Sequence, residues 1–296
     1  MNLVYSTAWG KDYYYELAQL MVFSLIQTGF EGEIIILTDR EYQFIGAKTC
    51  VLQHHPEKAM WKDRIREVVD FSKYQQVLFV DTDIFFVKNP LPLFELSGIR
   101  CAEQDFIQIE NDILNKMLLK QSEIKKMVMD GTPSINAGTV LFPAYEAEKF
   151  LSGWHSTWKE HCFNRRGLPE YWGDSSAAMY DQSALQLYLL NRTYSTIPRE
   201  MALFPAFHDK QITSETVFIH FCGPKQTTET KLQLKKMMEL CLEGKTHEAV
   251  KTWGRWRARL LATNPQTPLL EEVVTGLSLI ASRLESLERK LQGELI

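Results

Sequence analysis

Residues 77–86 read VLFVDTDIFF, and this stretch decides the expected fold. Unbroken runs of large apolar residues are typical of strands covered on both faces, as in a parallel sheet. Two carboxylates, Asp81 and Asp83, interrupt the apolar run. Two charges are costly at a buried position unless they are compensated. The stretch therefore predicts a buried strand that ends at a polar site.

Segments typical of strands and helices alternate before this stretch. The predicted order is strand, helix, strand, strand, helix, strand, over residues 3–7, 11–28, 33–38, 48–53, 62–72 and 77–80. Later strands are expected at 98–102, 137–142 and 217–221, and helices over 106–130, 181–191 and 230–261. This rhythm predicts a doubly wound α/β sheet. Ligands of such sheets bind beyond the carboxyl ends of the strands, which is where Asp81 lies.

The charge balance, the cysteine spacing and the hydropathy of the chain argue against several classes of function. The chain has 296 residues and a formal net charge of −4, so it lacks the general basic footprint of a nucleic-acid-binding protein. Its five cysteines are widely spaced and form no CxxC pair, which argues against a disulfide framework or a zinc ribbon. No apolar run is long enough to span a bilayer, and no signal-like segment is present. We expect a cytoplasmic protein without a transmembrane segment.

The last residues of the chain carry a heptad pattern after a Pro-containing linker. Apolar residues recur every seven positions in two series that lie three residues apart: Leu270, Leu277, Leu284 and Leu291, and Val273, Ile280 and Leu287. This is the a/d pattern of a coiled coil, so we expect a homo-oligomer formed through residues 263–296. The alternative is an amphipathic helix packed on its own domain.

Asp81 and Asp83 are the first candidate metal ligands. Strand residues two positions apart project the same way, so both carboxylates can converge on one cation. Hard oxygen ligands suit Mg²⁺ or Mn²⁺ bound together with phosphates. The alternative is a pair of turn-forming aspartates.

The stretch resembles the D-x-D strand of GT-A glycosyltransferases, particularly family 8 and its relatives. Further motifs of that family match in the same order: a basic residue at Arg64, 17 positions before Asp81, with Lys62 as its neighbour; Ile135-Asn136-Ala137-Gly138; Asp181-Gln182; and His220-Phe221-Cys222-Gly223. The resemblance covers residues 1–226 and implies a GT-A fold, Rossmann-like, with a mostly parallel sheet flanked by helices. A helical extension over 227–262 and the coiled-coil tail would follow this domain.

The resemblance also implies chemistry. It implies transfer of a sugar from a nucleotide sugar, usually a UDP-sugar in this family, to an acceptor hydroxyl with retention of the anomeric configuration. It also implies that Asp81, Asp83 and His220 bind Mn²⁺ or Mg²⁺. It assigns Asp181 and Gln182 to the anomeric carbon and acceptor, and Asp105 to sugar hydroxyls, as catalytic residues. The expected donor-binding residues are Thr7, Ala8, Tyr13, Asp39, Lys62, Arg64, Asp81, Thr82, Asp83, Asn136, Ala137, Gly138, Gly223 and Lys225. Lys225 comes one residue earlier than the family's lysine, and the turn after the first strand matches only loosely.

These roles are physically consistent. Cleavage of a sugar–diphosphate bond places negative charge on the leaving group, which a cation and the side chains of Lys225, Arg64 and Lys62 can stabilise. Plainer alternatives exist for the same residues. His220 is otherwise a structural or solvent-facing histidine, and Asn136 a turn residue. Asp181 is otherwise a helix N-cap, and Asp105 part of a solvated acidic loop.

A group of aromatic and basic side chains is the candidate acceptor surface, because rings stack on sugars and arginine binds anions: Trp154, Trp158, Arg165, Arg166, Tyr171 and Trp172. Burial of individual rings is the alternative.

Two other functions compete with sugar transfer. A sugar-1-phosphate nucleotidyltransferase needs a Gly-rich loop after the first strand, where this chain offers only Gly10. A non-catalytic scaffold that binds nucleotide sugar or glycan would not require Asp81, Asp83, His220 and the Asp181-Gln182 pair together.

Overall fold

A computed structural model describes residues 1–53, 60–103, 135–163, 181–190, 192–205, 211–222 and 228–263. The chain divides into two compact units, Met1–Trp253 and Gly254–Ile296. The domain boundaries predicted at 226/227 and 262/263 remain predictions. The predicted helix over 106–130 and the coiled coil lie outside the described residues.

Ten strands and six α-helices are found in the described ranges. The strands are β1 Leu3–Ala8, β2 Glu33–Thr38, β3 Lys48–Val51, β4 Gln76–Val80, β5 Ile84–Phe86, β6 Arg100–Glu103, β7 Ile135–Pro143, β8 Ser195–Ile197, β9 Ala202–Leu203 and β10 Phe218–His220. The helices are α1 Asp12–Gln27, α2 Leu91–Phe94, α3 Ala147–Thr157, α4 Asp181–Leu189, α5 Thr228–Leu242 and α6 Thr246–Thr263. Short 3₁₀ helices span Lys62–Glu67, Phe71–Lys73 and Ala144–Glu146, and a π-helical turn spans Trp158–Phe163.

The main sheet has seven strands in the order β3-β2-β1-β4-β7-β6-β8. Strands β3, β2, β1 and β4 are parallel, β7 is antiparallel to both of its neighbours, and β8 is parallel to β6. The predicted mixed α/β fold, with a mostly parallel sheet flanked by helices, is confirmed. The strand order reverses between β1 and β4, which creates a switch point where ligands bind in such sheets.

The central strands are buried as their composition predicts. β4 is fully buried from Val77 to Val80, and the ring of Phe79 meets that of Tyr5 on β1 edge to face, with centroids 5.1 Å apart. Each fully buried large apolar side chain stabilises the fold by about 1.5–3 kcal/mol. Because Tyr5 pairs with Phe79, Thr7 and Asp81 follow on adjacent strands at the same edge of the sheet.

Helix α1 packs on this sheet and on a smaller one. Its buried face includes Ser24, whose hydroxyl accepts the backbone N–H of Phe86 on β5 at 3.0 Å. Strand β5 belongs to a second sheet with the order β5-β10-β9, in which β10 is antiparallel to β5. This pairing places His220 opposite Ile84, and Ile84 directly follows Asp83 in the sequence.

The helix predicted over residues 62–72 differs from the structure, which has two 3₁₀ helices there, Lys62–Glu67 and Phe71–Lys73. Asp70 separates them in an extended conformation, and its carboxylate accepts the backbone N–H of Ser72 at 3.1 Å. Aspartate side chains compete for nearby backbone donors in this way, which favours caps and turns over continuous helix.

Candidate active site and metal centre

The two aspartates lie in a turn between β4 and β5. The backbone N–H of Asp81 donates to the carbonyl of Gly138 at 2.8 Å, and that of Ile84 donates back to the carbonyl of Asp81 at 3.3 Å. The backbone carbonyl of Asp83 accepts the N–H of Phe221 at 3.0 Å, which ties the turn to the end of β10. The spacing of the aspartates predicts convergence on one face of a strand, whereas the structure brings the carboxylates together through this turn.

Asp81, Asp83 and His220 form a group that could hold a metal ion, since their ligand atoms all lie within 4.8 Å of one another. His220 Nε2 lies 3.4 Å from Asp83 Oδ1, and both side chains are buried. The Asp81 side chain keeps 29% of its surface exposed, so the group opens on that side. Two carboxylates and one imidazole suit a divalent cation that also binds phosphate oxygens.

Gly138 forms the floor beneath this group. A Cβ atom at this position would lie 2.6 Å from Asp81 Oδ2, 2.6 Å from His220 Cε1 and 2.7 Å from Asn136 Oδ1. The side-chain oxygen of Asn136 in turn accepts the N–H of Gly138 at 2.8 Å. Only glycine allows the strand to approach the candidate ligands this closely.

Lys62 joins the metal group to helix α4. Its buried ammonium forms ion pairs with Asp181 and with Asp81, the latter at 3.1 Å, and donates to the carbonyl of Ala137 at 2.9 Å. It also lies 4.5 Å from the centre of the Phe79 ring. Burial pulls the pKa of Lys62 down, but the two carboxylates outweigh it, and the pKa lies above its ordinary value. Lys62 is therefore a fixed positive charge between Asp81 and Asp181.

Asp181 and Gln182 form the first turn of α4, beside the Asn136–Gly138 segment. Burial raises the pKa of Asp181, and Lys62 acts against this rise. The Trp154 indole N–H donates to the Asp181 carbonyl at 2.9 Å, and Gln182 Oε1 accepts the N–H of Ala137 at 3.4 Å. The structure thus brings the predicted catalytic pair to the predicted sugar-binding segment.

The predicted donor-binding residues at the ends of β1 and β2 lie at the same edge. Thr7 and Ala8 end β1, and the hydroxyl of Tyr13 is buried close to Asp83. Burial, and then the charge of Asp83, raise the pKa of Tyr13. Asp39 follows β2 and accepts the backbone N–H of Gly10 at 2.9 Å, so it fixes the turn between β1 and α1.

Arg64 is directed elsewhere. Its guanidinium donates to the carbonyl of Gln53 at 2.7 Å and to both carboxylate oxygens of Glu67, and it lies over the ring of Trp61. The structure therefore brings Lys62, rather than Arg64, to the aspartates. A phosphate contact from Arg64 stays a prediction, and it would require these bonds to be exchanged.

Several predicted residues lie outside the described ranges: Asp105, Gly223, Lys225, Arg165, Arg166, Tyr171 and Trp172. Two members of the predicted acceptor surface, Trp154 and Trp158, are described, and both are fully buried. For these two rings the packing alternative is correct. Trp154 packs against Phe150 and donates to the backbone of α4, and Trp158 packs against His155.

Sequence reasoning did not single out Gln186. It is fully buried in α4, and its Oε1 accepts the backbone N–H of Ile135 at 3.0 Å. The available signal was its spacing of four residues from Gln182, which places both amides on one helix face.

Among the described helices, none combines the length and the apolar character needed to cross a membrane.

No protein-family model matches the chain, and no curated protein matches it significantly. Solved structures do. A galactosyltransferase, LgtC, in complex with donor and acceptor sugar analogues superposes with a TM-score of 0.51 at 16% identity, over 80% of this chain and 95% of that one. An active-site mutant of LgtC superposes with a TM-score of 0.50 at 14% identity over the same shares. The GT-A fold expected from the motifs is thereby confirmed: this chain has the fold of those galactosyltransferase structures.

Proposed function

We propose that the protein is a divalent-metal-dependent glycosyltransferase, which transfers a sugar from a nucleotide sugar, most simply a UDP-sugar, to an acceptor hydroxyl with retention. One observation carries the proposal. Asp81, Asp83 and His220 converge at the switch point of a GT-A fold, directly beside the Lys62–Asp181 ion pair. The fold alone would not indicate an activity, because function resides in the site.

Asp81, Asp83 and His220 would hold the cation, with Mn²⁺ and Mg²⁺ as the candidates. When bound, such a cation neutralises the charge that develops on a diphosphate leaving group. The chain's own residues then have separable tasks. Lys62 compensates Asp81 and Asp181 and holds the Asp181 carboxylate in place, while Gln182 and Asn136 line the neighbouring segment where the sugar would bind.

Retention is supported by the same neighbourhood. An inverting enzyme requires a carboxylate or histidine that acts as base for the acceptor hydroxyl. Among the described residues of the site, the partly buried Asp181 is already engaged by Lys62, and His220 lies within the metal group. A route that relies on the leaving phosphate and on polar groups such as Gln182 needs no additional base. Oligomerisation through the tail and a cytoplasmic location stay predictions.

The test is a screen of UDP- and GDP-sugars for release of nucleoside diphosphate, with Mn²⁺ or Mg²⁺ and with chelator. We expect metal-dependent hydrolysis of at least one donor, and a product whose anomeric configuration, read by NMR, matches that of the donor. Binding of a metal–UDP complex without turnover of any donor would instead support the scaffold. Turnover that persists in chelator would contradict the metal mechanism, and an inverted product would contradict retention.

A further inference from the structure

Strand β7 departs from regular pairing directly after its first two residues, Ile135 and Asn136, which pair with β6. β4 pairs with β7 only from Pro143 back to Thr139. On the other side the register with β6 shifts, since Cys101 pairs with Val140 whereas Ala102 pairs with Asn136. Residues 137–139 therefore form a bulge, and bulges of this kind re-aim side chains beside functional sites.

Side chains bond the backbone of this bulge and of the residues that lead into it. Ala137 is bonded at its carbonyl by Lys62 and at its N–H by Gln182. One helical turn later in α4, Gln186 accepts the N–H of Ile135 at 3.0 Å, and its side chain also hydrogen-bonds that of Tyr194. Gln186 has no exposed surface, so no water competes for the Ile135 N–H.

Gln186 differs from the other two side chains in the partners of its described hydrogen bonds. Lys62 touches Asp81 and Asp181 directly, and Gln182 belongs to the predicted catalytic pair. The hydrogen bonds of Gln186 described above join it to the backbone at the start of the strand and to Tyr194. The bond to Ile135 therefore links Gln186 to the segment that leads into the bulge.

We propose that Gln186 is a positioning residue: by bonding the Ile135 N–H it fixes the segment that leads into the bulge, and so positions Asn136 and Gly138 for the donor sugar. The inference rests on the proposed glycosyltransfer. Loss of the acceptor would leave a buried N–H without a partner, which the strand can relieve only by moving. A displacement of about 1 Å in a positioning element can lower a rate by about a hundredfold.

The test compares three variants in the full-length protein. Gln186→Met keeps the size of the side chain but removes the acceptor, and Gln186→Glu retains an acceptor at the same reach. The control is Gln19→Met, because Gln19 also bonds backbone groups, the N–H and carbonyl of Ile45 at 2.9 and 3.1 Å, and neither residue belongs to the candidate site.

For Gln186→Met we expect kcat for donor hydrolysis to fall between about tenfold and about a hundredfold. KM, and the affinity for Mn²⁺–UDP measured by calorimetry, should change much less than kcat, because all three candidate metal ligands are retained. Gln186→Glu should recover part of kcat where the pH keeps its buried carboxyl protonated, and Gln19→Met should leave kcat unchanged. Unchanged kcat in Gln186→Met would overturn the proposal, as would a parallel loss of Mn²⁺–UDP affinity.

Amide hydrogen exchange supplies a readout that does not depend on turnover. Peptides covering residues 135–143 should exchange faster in Gln186→Met than in wild type, and return toward wild-type rates in Gln186→Glu. Unchanged exchange would refute the positioning role even if no donor were hydrolysed, whereas a wild type without hydrolysis would refute only the proposed function. If Gln186→Met does not fold, Gln186→Asn, which is too short to reach the Ile135 N–H, takes its place with the same expected results.

Discussion

At the scale of single residues, Gly138 determines how closely β7 approaches the metal group. In Gly138→Ala the added Cβ would meet Asp81 Oδ2, His220 Cε1 and Asn136 Oδ1, all closer than 2.8 Å. Such overpacking typically costs about 1–3 kcal/mol of stability, and here the atoms that must move are the candidate ligands. We expect a folded protein with weakened Mn²⁺ binding and reduced donor hydrolysis, measured by calorimetry and by nucleotide release.

The control for this change is Gly98→Ala. Gly98 has a φ of +74° and open space around its Cβ position, so alanine there introduces backbone strain without crowding. It should lower the melting temperature and leave metal affinity unchanged. Equal metal affinity in Gly138→Ala and wild type would contradict the conclusion that residue 138 packs directly against Asp81 and His220.

Asp83 is the residue whose loss should abolish the metal site most completely. It is fully buried, it lies 3.4 Å from His220, and its backbone carbonyl anchors the end of β10. Changes outside the ligand sphere already lower metal affinity by about 10–100-fold, so removal of a ligand should exceed that. Asp83→Ala should lose donor hydrolysis and metal-dependent UDP binding together. Wild-type activity of this variant in the presence of chelator would show that the metal mechanism is wrong.

At the scale of elements, the turn between β1 and α1 depends on Asp39, which receives hydrogen bonds from the Gly10 N–H and the Tyr15 hydroxyl. Burial alone would raise the pKa of Asp39, but these bonds outweigh it and hold the pKa below its ordinary value. A lowered pKa stabilises the fold above the unfolded-state value of about 3.9, and this contribution disappears as the pH falls through the folded-state pKa.

Asp39→Asn should therefore unfold more easily than wild type near neutral pH, and the difference should shrink as the pH falls below about 3.9. Denaturant unfolding followed across pH measures it. Tyr15→Phe, which removes one donor, should reduce the same pH dependence. A difference between Asp39→Asn and wild type that is constant with pH would assign the effect to packing instead.

The elements also show what the sequence could predict. The apolar runs of β1, β2 and β4 were predictable because burial on both faces leaves an unmistakable composition. The direction of individual side chains was not, because Lys62 and Arg64 share one short helix and yet one meets Asp81 and the other Glu67. The bulge at residues 137–139 was equally hidden, since it depends on the tertiary contacts of β4, β6 and α4.

At the scale of the whole molecule, the motifs identified the fold because they are spaced to meet at one edge of the sheet. Asp81, Asn136, Asp181 and His220 come from four separate segments, and a strand order that reverses between β1 and β4 brings those segments together. Trp154 and Trp158 show what the amino-acid composition of a segment could not predict. Aromatic residues near a site can either bind a ligand or form the hydrophobic core, and both of these rings are buried in the core.

The assembly of the molecule is the last prediction, and it rests on the sequence of the tail. Leu277 and Leu284 occupy the same position of successive heptads, whereas Ser278 and Ser286 fall on outward-facing positions. The double variant Leu277→Lys with Leu284→Lys should dissociate an oligomer, because it places charges in the seam. Ser278→Lys with Ser286→Lys should not. Light scattering at several protein concentrations measures both, and an identical mass for the two variants would contradict assembly through this seam.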